Sequence, residues 1–177
     1  MSSASKQPSE GASSEYQENL DIIRQIDFFS ALPLEAQKML AYLSVRDRFG
    51  SEDLLFRQGD DDGLAYYIIS GNCRLVRESG ADGAESMVRQ FGPGKFIGGL
   101  SLMANLRRVY SLKASDPVTS LTLQRDKFSR VMLQFPDLWP KIIQALADRI
   151  RGWEEHIWSV DLADKTACRD QIGVCLV

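Results

Sequence analysis

The chain has 177 residues, 44% of them hydrophobic, and a formal net charge of −3. It is long enough for one domain with a sizeable core, has no apolar run that spans a bilayer, and lacks the basic excess expected of a nucleic-acid binder. Cys73, Cys168 and Cys175 are too few and too uneven for a disulfide framework; with the polar start MSSASKQPSEGASSE, they predict a soluble cytoplasmic protein.

Residues 1–15 hold almost nothing to bury and are predicted to be a disordered tail. From Tyr16, Leu20, Ile22, Ile23 and Ile26 recur at helical spacing, and Phe28, Phe29 and Leu32 lead to Pro33. A second short helix is expected after Pro33, from the series Leu34, Met39, Leu40 and Leu43. Beyond Gly50 the period shifts toward two and turn residues crowd in. Leu54–Phe56, Tyr66–Ile69, Cys73–Arg77, Met87–Phe91, Tyr110–Ala114 and Ser120–Gln124 read as short strands. Asp126 is placed to cap a helical region that pauses at Phe135-Pro136 and resumes from Asp137. The pattern predicts an α+β domain, mainly β. Short strands at this spacing, punctuated by Gly, argue for a β-barrel or β-sandwich between N-terminal helices and a C-terminal helix.

Within Phe96–Ala114 a Gly-containing turn opens a short helix and an arginine stands before a β-branched and aromatic run. Backbone N–H groups of Gly98, Gly99, Leu100 and Ser101 can face an anion there, and the guanidinium of Arg108 can close on it from the other side. Asp60-Asp61-Asp62-Gly63 lacks the spaced ligands of a calcium loop and reads as a solvated hairpin turn. His156 is the single histidine, so no multi-His metal site or His-dependent triad forms within one chain. Cys168 and Cys175 lie in a polar tail and are not spaced for zinc. No nucleophile is paired with a base at readable spacing, and an enzyme is not expected.

Phe96–Ala114 resembles the phosphate-binding cassette of the cyclic nucleotide-binding domain family, which includes the catabolite activator protein and kinase regulatory subunits. Phe29–Leu32, Gly59 after Phe56-Arg57-Gln58, Tyr67–Gly71 and Phe91–Phe96 resemble further family hallmarks, in the expected order over residues 20 to 160. The resemblance implies an antiparallel β-roll or jelly-roll barrel from about 46 to 125, flanked by N-terminal helices and a long C-terminal helix, and it implies that Arg108 is the phosphate arginine, with Val109 and Tyr110 where two small residues usually follow. It also places Gly99 where the family carries a ribose carboxylate. Losing that hydrogen bond costs about 1–3 kcal/mol, and the Tyr110 ring competes for nucleotide space. The implied ligand is cyclic AMP bound weakly, or another small anion; Glu85 is a candidate to supply the missing carboxylate. The competing reading is a pocket closed by Tyr110 in a ligand-free dimeric scaffold.

Trp139, Ile143, Leu146, Ile150, Trp153, Ile157 and Val160 recur at alternating steps of four and three, the seam of a two-stranded coiled coil. In this register Arg149 and Glu154 can pair between parallel copies, and His156 is a flank residue. Ile142 and Ala145, on the adjacent stripe, are left to pack on the chain's own domain. The expected organisation is therefore a tail at 1–15, one domain over 16–160 with a dimerisation helix at 137–160, and a tail at 161–177. A homodimer that signals to a downstream protein is expected. The 17 residues after Val160 have no room for a helix-turn-helix, so direct DNA binding is not expected.

Overall fold

The computed structural model describes residues 10–79 and 84–159; the predicted tail 161–177, the first nine residues and Val160 lie outside them. The first helix, α1, spans Glu10–Gln25, so its opening turns fall inside the segment predicted to be a tail. Those turns carry no apolar stripe. Side chains one turn apart support them instead: Ser14 Oγ with Glu18 at 3.5 Å and Gln17 Nε2 with Asp21 at 3.3 Å. Leu20 and Ile23 then anchor the helix in the core.

A short helix, α2 (Asp27–Ser30), buries Phe28 and Phe29. Pro33, with φ −63°, leads into α3 (Leu34–Leu43), and α3 buries Ala36, Leu40 and Ala41. Gln37 is also buried; its amide donates to the carbonyls of Phe29 (3.2 Å) and Ser30 (3.4 Å), which ties α3 to the end of α2.

Eight strands follow among the described residues: β1 (Val45–Phe49), β2 (Leu54–Phe56), β3 (Leu64–Ser70), β4 (Cys73–Ser79), β5 (Ala84–Phe91), β6 (Phe96–Ile97), β7 (Ser111–Ala114) and β8 (Val118–Gln124). Their antiparallel pairing is nested: β4 with β5, β3 with β6, β2 with β7 and β1 with β8. Bonds between β3 and β8 and between β4 and β7 assemble two four-stranded sheets, ordered β1-β8-β3-β6 and β2-β7-β4-β5. The predicted α+β roll is present, but among the described residues its two sheets stay separate in hydrogen bonding and do not close into one barrel.

The sheet containing β3 and β8 has an apolar cluster on each side. Ala65, Tyr67, Leu121 and Leu123 pack with the helices. Tyr66, Ile68 and Val118 face the other sheet, together with Leu75, Ile97 and Leu112. Alternation along β8 puts Ser120 and Thr122 on the Val118 side. Both are buried, and their hydroxyls pair at 3.2 Å.

Two further helices close the domain: α4 (Arg125–Gln134) and, after a 3₁₀ turn at Pro136–Leu138, α5 (Trp139–Ser159). Asp126 lies in the first turn of α4, not at its cap, where its charge still favours the amide ends. On α5, Ile142 is fully buried, Leu146 packs against the helical core, and Ile143 is 58% exposed. Trp139 and Leu133 are exposed beside Ile143 in sequence order on α5 and α4. The side chains of Arg149, Ile150, Trp153, Glu154, His156 and Ile157 lie outside the described residues.

Candidate anion-binding site

The site starts where β6 ends. Gly98 has φ 89°, and a Cβ there would stand 2.8 Å from both Arg108 Nη1 and the Leu64 carbonyl oxygen, so the turn requires glycine. A 3₁₀ turn, Gly99–Leu102, follows. Its first internal bond is Ser101 N–H to Gly98 O at 3.0 Å, which leaves the Gly99 and Leu100 amides ahead of the hydrogen-bonded ladder. Ser101 and Leu102 are buried beneath it.

Arg108 reaches this turn because its backbone is clamped to the β2–β3 connection. Its N–H donates to Asp60 O and its carbonyl accepts from Gly59 N–H, both at 2.8 Å. The side chain is 6% exposed and meets the Asp62 carboxylate through Nη2 at 2.8 Å and Nε at 3.2 Å. Nη2 also donates to the Leu64 carbonyl, and the guanidinium lies 4.0 Å from the centre of the Phe56 ring. Asp62 is itself pinned by accepting from Leu64 N–H at 3.1 Å. One edge of the guanidinium is thus committed to Asp62, while Nη1 faces the Gly98 turn.

A second arginine braces the same loop. Arg125, the first residue of α4, donates from Nε to Ser101 O at 2.6 Å and from Nη1 to Asn105 Oδ1 at 2.7 Å; Nη2 pairs with Asp61. The Asp60–Asp62 turn predicted to be solvated therefore has two of its three carboxylates in ion pairs. The reason is geometric: Arg108 and Arg125 converge on it from two different elements. Sequence reasoning missed Asp62, Phe56 and Arg125. The one available signal was an acidic triplet just before a strand, with arginines at 108 and 125 later in the chain.

The remaining predicted residues divide. Gly98, Gly99, Leu100, Ser101 and Arg108 come together around one turn. Val109 is 59% exposed. Tyr110 is buried in the inter-sheet cluster with Phe56, Tyr66, Ile97 and Leu112, inside the roll. Glu85 pairs with Lys113 in the other sheet and does not supply a carboxylate at Gly99. A Cβ on Gly99 would lie 3.1 Å from Phe96 Cε1, so a side chain there needs the ring to give by a few tenths of an ångström. Inside the roll, the Tyr66 hydroxyl donates to Leu55 O at 2.7 Å. Burial pushes its phenol pKa up, and the nearby Asp62 charge adds to the shift. Together these groups can hold a small anion between a backbone turn and a guanidinium.

Comparison with known proteins gives a consistent picture. The family model for the cyclic nucleotide-binding domain matches residues 46–135, just over half of the chain. Lysophospholipase nte1 of Neurospora crassa is 30% identical over 114 residues, covering 64% of this chain; the chain spans 8% of that relative's length. The N-terminal domain of a transcriptional regulator from Streptomyces coelicolor superposes with a TM-score of 0.67 at 28% identity, covering 80% of this chain and 97% of that one. A mutant regulatory subunit of a cAMP-independent protein kinase A from Trypanosoma brucei, bound to cAMP, superposes at 0.59 with 25% identity. That match covers 75% of this chain and 48% of the other.

Proposed function

Because the chain belongs to the cyclic nucleotide-binding domain family, we propose that it is a non-enzymatic regulatory module whose roll takes a small anion at Arg108 and binds cyclic AMP weakly. The observation that carries this reading is the arrangement around Gly98. Arg108 Nη1 faces the turn, the amides of Gly99 and Leu100 precede the helical ladder, and no carboxylate grows from position 99. A phosphate can be met by the guanidinium and the turn. A ribose hydroxyl is left without the acceptor that the family supplies, and Tyr110 fills part of the interior.

The Trypanosoma brucei regulatory subunit, called cAMP-independent yet bound to cAMP in a mutant form, supports the idea that few side chains separate the two behaviours. Gly99→Glu with Tyr110→Ala is expected to raise cyclic AMP affinity at least tenfold by isothermal titration, the worth of about 1.4 kcal/mol. The Phe96 ring must shift to admit the new Cβ, so a change in Phe96 ring signals accompanies the gain. Adding Arg108→Ala abolishes the gain. A parent protein that already binds at micromolar concentration overturns the reading, as does a folded double variant with no gain.

The second reading is a ligand-free dimeric scaffold. The burial of Tyr110 in the roll favours it, as does the exposed apolar set Leu133, Trp139 and Ile143 on α4 and α5. On either reading, a second copy covers that face through the seam Trp139, Ile143, Ile150, Trp153 and Ile157, with Leu146 divided between that seam and the chain's own core, and output passes to a partner protein. Absence of any heat or thermal shift with cyclic AMP or cyclic GMP at millimolar concentration, in a protein that sediments as a dimer, selects the scaffold.

A further inference from the structure

A groove of 520 Å³ lies on the helical layer where α1 packs on α3. Tyr16 of α1 and Met39, Tyr42 and Leu43 of α3 line it, with Lys38 as its one charged residue. Met39, Tyr42 and Leu43 stand at i, i+3 and i+4 and so share one side of α3. Tyr16, Met39 and Leu43 pack against the helical core and are only partly buried, and Tyr42 is 79% exposed. A contiguous apolar strip of this kind fits a second apolar segment laid over it.

The chain carries such a segment. From Val160 to Gln171 the sequence is polar, with Asp161, Asp164, Lys165, Arg169 and Asp170; from Ile172 to Val177 it reads IGVCLV and holds no charge. An uncharged run of this composition is an aggregation hazard unless it is covered. In an extended chain Ile172, Val174 and Leu176 fall on one side and Cys175 on the other. The reach suffices. Gln25, at the end of α1, and Asp148, on α5, line one cavity of 590 Å³. Tyr16 lies about 14 Å along α1 from Gln25, and Ser159 about 17 Å along α5 from Asp148. Residues 160–171 span up to about 43 Å, which covers both stretches and leaves about 12 Å for the cavity between them.

We propose that residues 172–177 seat in the α1–α3 groove of their own chain, with Ile172, Val174 and Leu176 against Tyr16, Met39, Tyr42 and Leu43. The short tether holds the segment at an effective concentration of about millimolar, which any separate partner has to exceed. None of the groove residues belongs to the Gly98 turn or to the exposed set Leu133, Trp139 and Ile143, so the seat needs neither an anion nor a second copy.

The test uses the full chain with Cys168→Ser, in which Cys175 takes a thiol-reactive nitroxide while Cys73 is fully buried. The backbone amide NMR signals of Tyr16, Met39, Tyr42 and Leu43 are expected to lose intensity at least threefold relative to the ascorbate-reduced label, while those of β4 and β5 keep theirs. Tyr42→Glu, at an exposed position, should restore the signals without lowering the melting temperature, and Leu176→Asp should restore them as well. A nitroxide-bearing chain mixed with an isotope-enriched chain that carries no label should cause no loss. Loss that is absent, that centres on Phe96–Arg108 or Trp139–Ile143, or that survives both substitutions overturns the proposal. Loss in the mixed sample gives the groove to a second copy and overturns it too.

Discussion

Asp62→Asn, Arg108→Met and the two together separate the pair at the centre of the anion site. The side chains are 19% and 6% exposed, with contacts of 2.8 and 3.2 Å. A solvent-exposed pair is worth under about 1 kcal/mol, whereas breaking a fully buried pair costs about 3–5 kcal/mol. This pair lies nearer the second limit, and Asp62 keeps some water, so its coupling should be about 2 kcal/mol. Asp62→Asn alone should cost about that amount. Arg108→Met should cost about 3 kcal/mol, because it also gives up the contact with Phe56, worth about 1 kcal/mol, while the Met stem keeps its packing. The double variant should then be no less stable than Arg108→Met. Urea unfolding followed by circular dichroism measures all four corners of the cycle. Raising salt from about 0.1 to about 1 M, which shortens the screening length from about 10 to about 3 Å, should leave most of the coupling intact. The exposed Arg24–Asp21 pair, with side chains 45% and 54% exposed, is the control that should lose its coupling. Single effects that simply add, with coupling below about 0.5 kcal/mol, would refute the assignment of Asp62 as the partner of Arg108.

Burial, with a smaller contribution from the Asp116 charge, pushes the Cys73 thiol up to about 11 from its ordinary 9.0. The fold therefore favours the neutral thiol. Its contribution to stability is complete below pH 9 and is lost as pH rises toward about 11. Iodoacetamide labelling of Cys73, followed by mass spectrometry near neutral pH, should proceed no faster than global unfolding, and rapid labelling would contradict its burial. Arg125→Ala removes the brace on Ser101 O and Asn105 and should cost about 1–2 kcal/mol, since Arg125 and Asp61 are partly exposed. Hydrogen exchange at the Met103 and Ala104 amides, which bond to Leu100 O, should accelerate at least tenfold more than exchange in β8; uniform acceleration would mean that Arg125 acts on the whole fold.

The Gly-punctuated strands and the place of Arg108 were legible because each is a local signal: a turn residue, a period, a residue type at a fixed distance from a glycine. The partners of Arg108 were not. Asp62 reaches it because the Arg108 backbone is bonded to Gly59 and Asp60, and no periodicity shows that contact across the chain. The start of α1 was hidden for a related reason. Glu10 to Glu15 carry no apolar stripe, and what supports them is side-chain pairing one turn onward. On β8 the usual inference runs backwards: the polar Ser120 and Thr122 share the buried face with Val118, while Leu121 and Leu123 face the helices. The two hydroxyls satisfy each other, which removes the penalty that normally keeps such residues outside.

The nested pairing of the strands sets an order on how the chain can come together during synthesis. The hairpin of β4 and β5 is local and can close as soon as it leaves the ribosome, but each pair outside it waits for a later segment. Val45 pairs with Thr122 and Phe49 with Val118, so the first strand made is among the last to find its neighbour. Because β8 also sits between β1 and β3, a nascent chain that stops short of Val118 leaves two strand edges and the Ala65–Tyr67 face of β3 uncovered. Truncation within β7 or β8 should yield an aggregating chain rather than a smaller domain, and the cell has no working half of this protein to keep.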